Sequence, residues 1–265
     1  MNAPYLPHID GLRAIAVLAI LLFHLHVPGA QGGFLGVDIF FVISGFLITG
    51  QINRLAVKNK FSLLNFYLRR ARRLLPALVT ILLMSMIIGF YMLPPYELVL
   101  LAKSVLSSAF FYSNIYFWST AGYFSDISQS NILLHTWSLA VEEQFYLIWP
   151  LLLLVLIKGL TPGGRSWALL ILLVTSVVSS IWATKTAPDA AFYLLPFRLH
   201  EFLIGGLAYQ LGATQQRRLN AIGSGKLAAV GVVLIAGSFF VIDENTTFPG
   251  LTSLLPTFGI ALLLL

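Results

Sequence analysis

Long apolar runs separated by short polar breaks dominate this chain. The runs fall near residues 12–28, 34–52, 74–93, 98–118, 137–157, 167–184, 196–211, 227–242 and 254–265. A hydrocarbon core of about 30 Å takes roughly 20 apolar residues in helical form, so runs of this length read as membrane segments. Pro-Gly at 28–29, Pro-Pro at 94–95, TPGG at 161–164 and the FPG turn at 248–250 punctuate them. Such residues end helices and favour turns. The pattern predicts an all-α, polytopic transmembrane helix bundle of about eight to nine membrane segments, in one domain over residues 1–265. The last run stops in leucines without a closing charge, so the domain is expected to be truncated at its C-terminus.

Composition sharpens this reading. The chain is 58% hydrophobic and only 10% charged, with a mean hydropathy of +0.88. Soluble domains carry roughly a quarter charged residues, so an ordinary globular enzyme is excluded. There is no cysteine, hence no disulfide and no thiolate metal site. The N-terminus lacks a basic stretch and a cleavage site around its apolar run, so the first run is expected to be a retained helix.

Charge sets the expected topology. Seven of the sixteen Lys and Arg residues lie between 54 and 73, including Arg69, Arg70, Arg72 and Arg73. In so apolar a chain a basic loop marks the cytoplasmic side rather than a nucleic-acid site, which also puts the N-terminus inside. It would attract anionic headgroups or an anionic cofactor. If 98–118 does not fully cross, Lys158, Arg165, Arg217, Arg218 and Lys226 join the same side and Lys185 stands alone opposite. That segment holds Lys103 and four serines, the weakest span by composition, and a re-entrant segment is tolerated where protein covers it.

Ionisable residues at membrane depth are the functional candidates, since each costs about 2.5–3.5 kcal/mol on insertion scales. In DGLRAIAVLAILLFHLH, Arg13 and His24 are eleven residues apart, close to three turns. They share a face about 16 Å apart along the axis. A snorkelling arginine and a headgroup-level histidine is the plainer reading. In LLHTWSLAVEEQFYLIWP, the uncharged run after Glu143 is too short to cross, so Glu142 and Glu143 fall within apolar depth. Each needs a partner, with Arg198 a candidate, or a raised pKa. His135 and Trp137 stand at the entry of the same segment. In FYLLPFRLHEFLIGG, Arg198 and Glu201 can pair at i,i+3 and Gly205 and Gly206 allow close helix approach. In FYLRRARRLLPAL, Arg69 shares a face with Arg72 and Arg73, a set suited to phosphate as well as to a plain topogenic loop. Asp38 is a partner for a His or Arg of the first helix, whereas Ser44 beside Gly45 reads as packing. No GxSxG, HExxH, Walker or GxGxxG motif occurs, so serine catalysis and metal hydrolysis lack support and no metal site is expected.

Taken in order, IDGLRAIAVLAILLFH, GFLGVDIFFVISGFLIT, FYLRRARRLLPAL, LLHTWSLAVEEQFYLIWP and FRLHEFLIGG resemble the acyltransferase-3 family of membrane O-acyltransferases, over residues 5 to 210. The HTWSLAVEEQFYL form is most similar to the O-antigen acetyltransferase branch. The resemblance implies a bacterial inner (cytoplasmic) membrane enzyme. Such an enzyme moves an acyl group, usually acetyl, from cytoplasmic acetyl-CoA to a hydroxyl of a cell-surface or lipid-linked glycan. No permanently bound cofactor is implied; acyl-CoA is the donor substrate, and glycan and membrane lipids are the partners. The family's basic-x10-His pattern falls on Arg13 and His24, and its arginine motif on Arg69 and Arg72.

On this reading Arg13, Arg69, Arg72 and Arg73 would hold the donor phosphates. His24 would be the general base, with Asp38, Glu142 or Glu143 orienting it. His135, Trp137, Arg198 and Glu201 would face the acceptor. Two rivals remain at this level: a transporter or flippase of a glycan or lipid precursor, and a non-catalytic scaffold.

Overall fold

The structure, a computed structural model, describes residues 7–120, 131–243 and 245–265, with side chains at 216–222 and at 224 left aside. Among these residues every regular element is helical. Helix α1 (Pro7–His24) is followed by a 3₁₀ turn (Gln31–Leu35) that runs directly into α2 (Gly36–Val57). Then come α3 (Leu63–Met92), α4 (Pro95–Ala109), α5 (Ser113–Thr120) and α6 (Thr136–Gly159). The chain closes with α7 (Pro162–Thr186), α8 (Pro188–Tyr193), α9 (Leu195–Ile222), α10 (Ser224–Val241) and α11 (Leu254–Leu264). Five of the described segments, α1, the 3₁₀ turn with α2, α3, α6 and α7, are long and apolar enough to cross a membrane. Large apolar side chains such as Leu83, Ile87, Val155 and Val178 stand exposed on the outer faces. The chain is a multi-pass membrane protein.

Helix starts follow local chemistry. Ser62 caps α3 by accepting from the Asn65 amide at 3.3 Å, and Thr161 caps α7 by accepting from Gly164 at 3.2 Å, with Pro162 at the first helical position.

Helix α2 is the buried axis of the bundle, and α9 lies parallel to it. Asp38 meets Arg198, Gly45 meets Phe202, and Gly50 meets the Tyr209 ring, in the same order along both helices. Backbones touch where glycines permit it. A Cβ on Gly45 would lie 1.9 Å from the Phe202 carbonyl oxygen, and one on Gly205 would lie 1.9 Å from that of Val42. Small residues allow such contact in membrane bundles.

The segment 98–118 does not form one span. It is broken at Phe110–Tyr112, where Phe111 adopts φ +55°, and the fifteen residues of α4 reach only about 22 Å. The serines that marked this segment as polar are buried and bonded. Ser108 Oγ lies 2.8 Å from Thr136 Oγ1, Ser113 donates to the Thr136 carbonyl at 2.9 Å, and Asn131 donates to Ser104 at 2.8 Å. Helices α4 and α5 are therefore tied to the N-terminal end of α6.

Candidate active site

Helix α1 carries Arg13 near its start and His24 at its end, and each borders its own cavity. The first, of about 560 Å³, is lined by Arg13, Arg69, Arg70, Arg73, Gln51 and Glu143 among others. The second, of about 330 Å³, is lined by His24, His135, Trp137 and Ser138 with apolar neighbours. Phe40, Leu139 and Glu142 line both, so the two cavities meet at a waist with one carboxylate in it. Cations gather at one end and imidazoles at the other.

The waist carboxylate is held from two helices. Ser44 of α2 and Tyr146 of α6 both place their hydroxyls on Glu142 Oε1, and the two hydroxyl oxygens are 2.7 Å apart. Tyr146 is one turn beyond Glu142, so both point to the same side of α6. Below the waist, Arg70 Nη2 donates to Glu143 Oε1 at 3.0 Å, and its guanidinium carbon lies 3.2 Å from the centroid of the Tyr146 ring. The cation, its carboxylate and the ring form one wall of the larger cavity. Arg13 is 3.5 Å from Asp10, a partly exposed pair at the mouth.

This path also orders the membrane segments. α1 and α3 both have their basic ends, Arg13 and Arg69, at the first cavity. α6 enters beside His24 through His135. The chain thus leaves α3 and begins α6 on the same side, as it must if α4 and α5 together make no net crossing.

Comparison with known proteins decides the family. The acyltransferase-3 family, described as "Acyltransferase domain", matches residues 6–265. The chain belongs to the acyltransferase-3 family. It is 39% identical over 208 residues to the peptidoglycan O-acetyltransferase OatA of Listeria monocytogenes, covering 76% of this chain and 33% of that protein. It is 41% identical over 161 residues to the O-acetyltransferase OatA of Staphylococcus aureus, covering 60% of this chain and 26% of that protein. An uncharacterized protein of Haemophilus influenzae is 35% identical over 235 residues, covering 86% of this chain and 96% of that protein. The chain thus spans about a third or less of the two O-acetyltransferases it resembles. No solved structure matches.

Within this acyltransferase-3 chain the expected residues divide. His24, His135, Trp137, Glu142, Glu143, Arg13, Arg69 and Arg73 line the joined cavities. Trp137 is only 2% exposed and packs on Phe41 and Phe192, so little of it is free to stack on a sugar. Arg72 is exposed and outside the lining; Arg70 takes the place expected for it.

Three expectations need correction. Asp38 does not turn to helix α1: it is fully buried and lies 3.4 Å from Arg198. Arg198 and Glu201 do not face an acceptor: they pair at 3.0 Å and are 1% and 0% exposed. The cause is helix register. Asp38 is seven residues before Gly45 and Arg198 seven before Gly205, so the charges share the faces that the glycines bring together. Around Arg198 stand the rings of Phe41, Trp137, Phe192 and Phe248, 5.1 to 5.9 Å from its guanidinium. Beside the cluster His200 Nε2 lies 2.9 Å from Ser253 Oγ.

Sequence reasoning missed three members. Ser44, read as packing, holds the waist carboxylate. Arg70 is one of four arginines in the same stretch, and only its contact with Glu143 singles it out. Tyr146 was signalled by its i,i+4 spacing from Glu142.

Proposed function

We propose that the chain is a membrane-embedded O-acyltransferase that carries an acyl group, acetyl in the first instance, from cytoplasmic acyl-CoA to a hydroxyl of a cell-surface or lipid-linked glycan. The observation that carries this reading is the pair of cavities joined at Glu142, with arginines at one end and His24 and His135 at the other. The names of the two O-acetyltransferase relatives support the chemistry, and one of them names peptidoglycan as its acceptor.

The donor's anionic phosphates suit the cationic end. Arg69, Arg70, Arg73 and Arg13 supply bidentate donors there, and the basic side is the cytoplasmic one by charge bias. The thioester then lies toward the waist, about three turns from Arg13, at the distance that an extended donor arm must cover. At the other end the acceptor hydroxyl meets His24. Its imidazole takes the hydroxyl proton as the oxygen attacks the thioester carbonyl, the C–S bond breaks, and the thiolate leaves to take up a proton. Histidine suits this because it exchanges protons near neutral pH. His135 and Glu142 flank the same space. On this reading the protein sits in a bacterial inner membrane with its N-terminus in the cytoplasm.

The test is transfer of label from acetyl-CoA to surface glycan in membranes holding the full-length protein or its His24→Ala variant at equal amounts. Label in the glycan that is lost with His24→Ala supports the reading. Unchanged labelling removes His24 from catalysis, and absence of labelling from both rejects the donor or the acceptor class.

A further inference from the structure

A third cavity, of about 420 Å³, lies where the end of α2, the first turn of α7 and the middle of α9 converge. It shares no lining residue with the path from Arg13 to His24. Arg54 and Lys58 of α2 and Arg165 of α7 line it, and no Asp or Glu does. Among the described residues none of these three cations forms an ion pair. Like charges gathered in one hollow repel one another until an anion joins them.

Two donors on the lining lack an acceptor, one of them on Arg165 itself. Arg165 Nε and Gln210 Nε2, both on lining residues, are buried without a hydrogen-bond partner. Buried donors in native proteins are normally satisfied. Helix α7 begins at this hollow and α2 ends there, so their opposite dipole ends offset one another and the positive field comes from the three side chains. Cations and unsatisfied donors converge on one anion.

The surroundings say which anion. Val57 at the rim is 81% exposed, and Trp167, one residue past the lining Ser166, is 67% exposed. On a spanning bundle such apolar and aromatic surface faces lipid at the headgroup boundary. Gln51 lines the arginine cavity and Arg54 lines this one, less than a turn apart on α2 and about 4.5 Å along its axis, so the two open at nearby depths. Basic hollows between helices at this level suit lipid phosphates. We propose that the hollow formed by Arg54, Lys58, Arg165 and Gln210 binds the phosphate-bearing headgroup of an anionic phospholipid, clasping α2, α7 and α9 beside the arginine cavity. The proposal does not depend on the acyl-transfer reading.

The full-length protein is released from membranes into mild detergent, supplied with phosphatidylglycerol or phosphatidylcholine, and examined by native mass spectrometry. The wild type is expected to retain phosphatidylglycerol over phosphatidylcholine by roughly tenfold or more. The Arg54→Gln/Arg165→Gln variant is expected to lose that preference. Arg54→Lys/Arg165→Lys keeps both charges and should retain most of it, which separates loss of the site from loss of the fold. Arg69→Gln/Arg73→Gln, in the neighbouring cavity, should leave it unchanged. Equal retention of the two lipids by the wild type, or an undiminished preference in Arg54→Gln/Arg165→Gln, overturns the proposal. Displacement of the lipid by millimolar inorganic phosphate would make the ligand a free anion and overturn the lipid assignment.

Discussion

Arg70 and Glu143 join α3 to α6 by a 3.0 Å ion pair on the wall of the arginine cavity, under the ring of Tyr146. Both side chains are largely shielded, so removing one leaves the other without its partner. Glu143→Ala and Arg70→Ala are each expected to lower stability by about 1–3 kcal/mol. The paired change Arg70→Met/Glu143→Leu should recover part of that loss, because apolar replacement of both partners removes the unmatched charge. Thermal unfolding in detergent reads this; additive losses in the double variant would deny the coupling.

His24 is expected to carry the proton transfer. Loss of a positioned general base typically removes 10²–10⁴-fold in rate, so His24→Ala should lower acetyl transfer by about that factor with the protein still folded. Initial rates at saturating acetyl-CoA, set against the melting temperature, check both halves.

Ser44 and Tyr146 hold Glu142 by their hydroxyls, and on the proposed mechanism they act through it rather than on the reacting groups. Ser44→Ala and Tyr146→Phe each remove one hydroxyl from the carboxylate, and each should slow transfer by about tenfold. Their effects should fall short of additive in the double variant, because both act through the same oxygen. A fall in kcat with an unchanged KM for acetyl-CoA in each single variant marks positioning, which mere loss of packing would not produce.

Phe40 and Leu139 narrow the junction of the two cavities. Leu139→Trp should obstruct the waist, abolishing transfer to glycan while acetyl-CoA still binds at the arginine end. Isothermal titration with acetyl-CoA beside the transfer assay tests this. Loss of both binding and transfer would place the donor elsewhere.

Gly45 and Gly205 admit backbone contact between α2 and α9. Gly205→Ala puts a methyl group against the Val42 carbonyl, and overpacking of this kind costs about 1–3 kcal/mol. A fall in melting temperature and in folded yield is expected. Gly159→Ala, where a Cβ meets nothing within 4 Å, serves as the tolerant control.

Much of the bundle was legible in the sequence because hydrophobic length is a direct consequence of bilayer thickness. The break in 98–118 was foreshadowed by Lys103 and the serines, whose polarity disfavours a lipid-facing span. The cavity ends were legible as well, since Arg13 and His24 lie on one helix and the helical repeat fixes their spacing. Partnerships between helices were not. Asp38 was matched to α1 because α1 is its neighbour in sequence, whereas α9, more than 150 residues later, supplies its counter-charge. Seven-residue spacing from a glycine on each helix held that information, but only for a reader who already knew which two helices touch. Ser44 was hidden by the same glycine, whose packing role accounted for the local pattern without it.

The glycine seam has a consequence for the rival reading as a carrier. Alternating access needs two bodies that swing apart, and a hinge line tends to follow loose contacts. Here the middle of the molecule is a weld: α2 and α9 touch through their main chains, and Asp38, Arg198 and Glu201 are sealed next to the join. Opening it would bring buried charges into contact with hydrocarbon or water. The least covered of the spanning helices is α1, so any movement of the bundle is expected there rather than along the seam of α2 and α9.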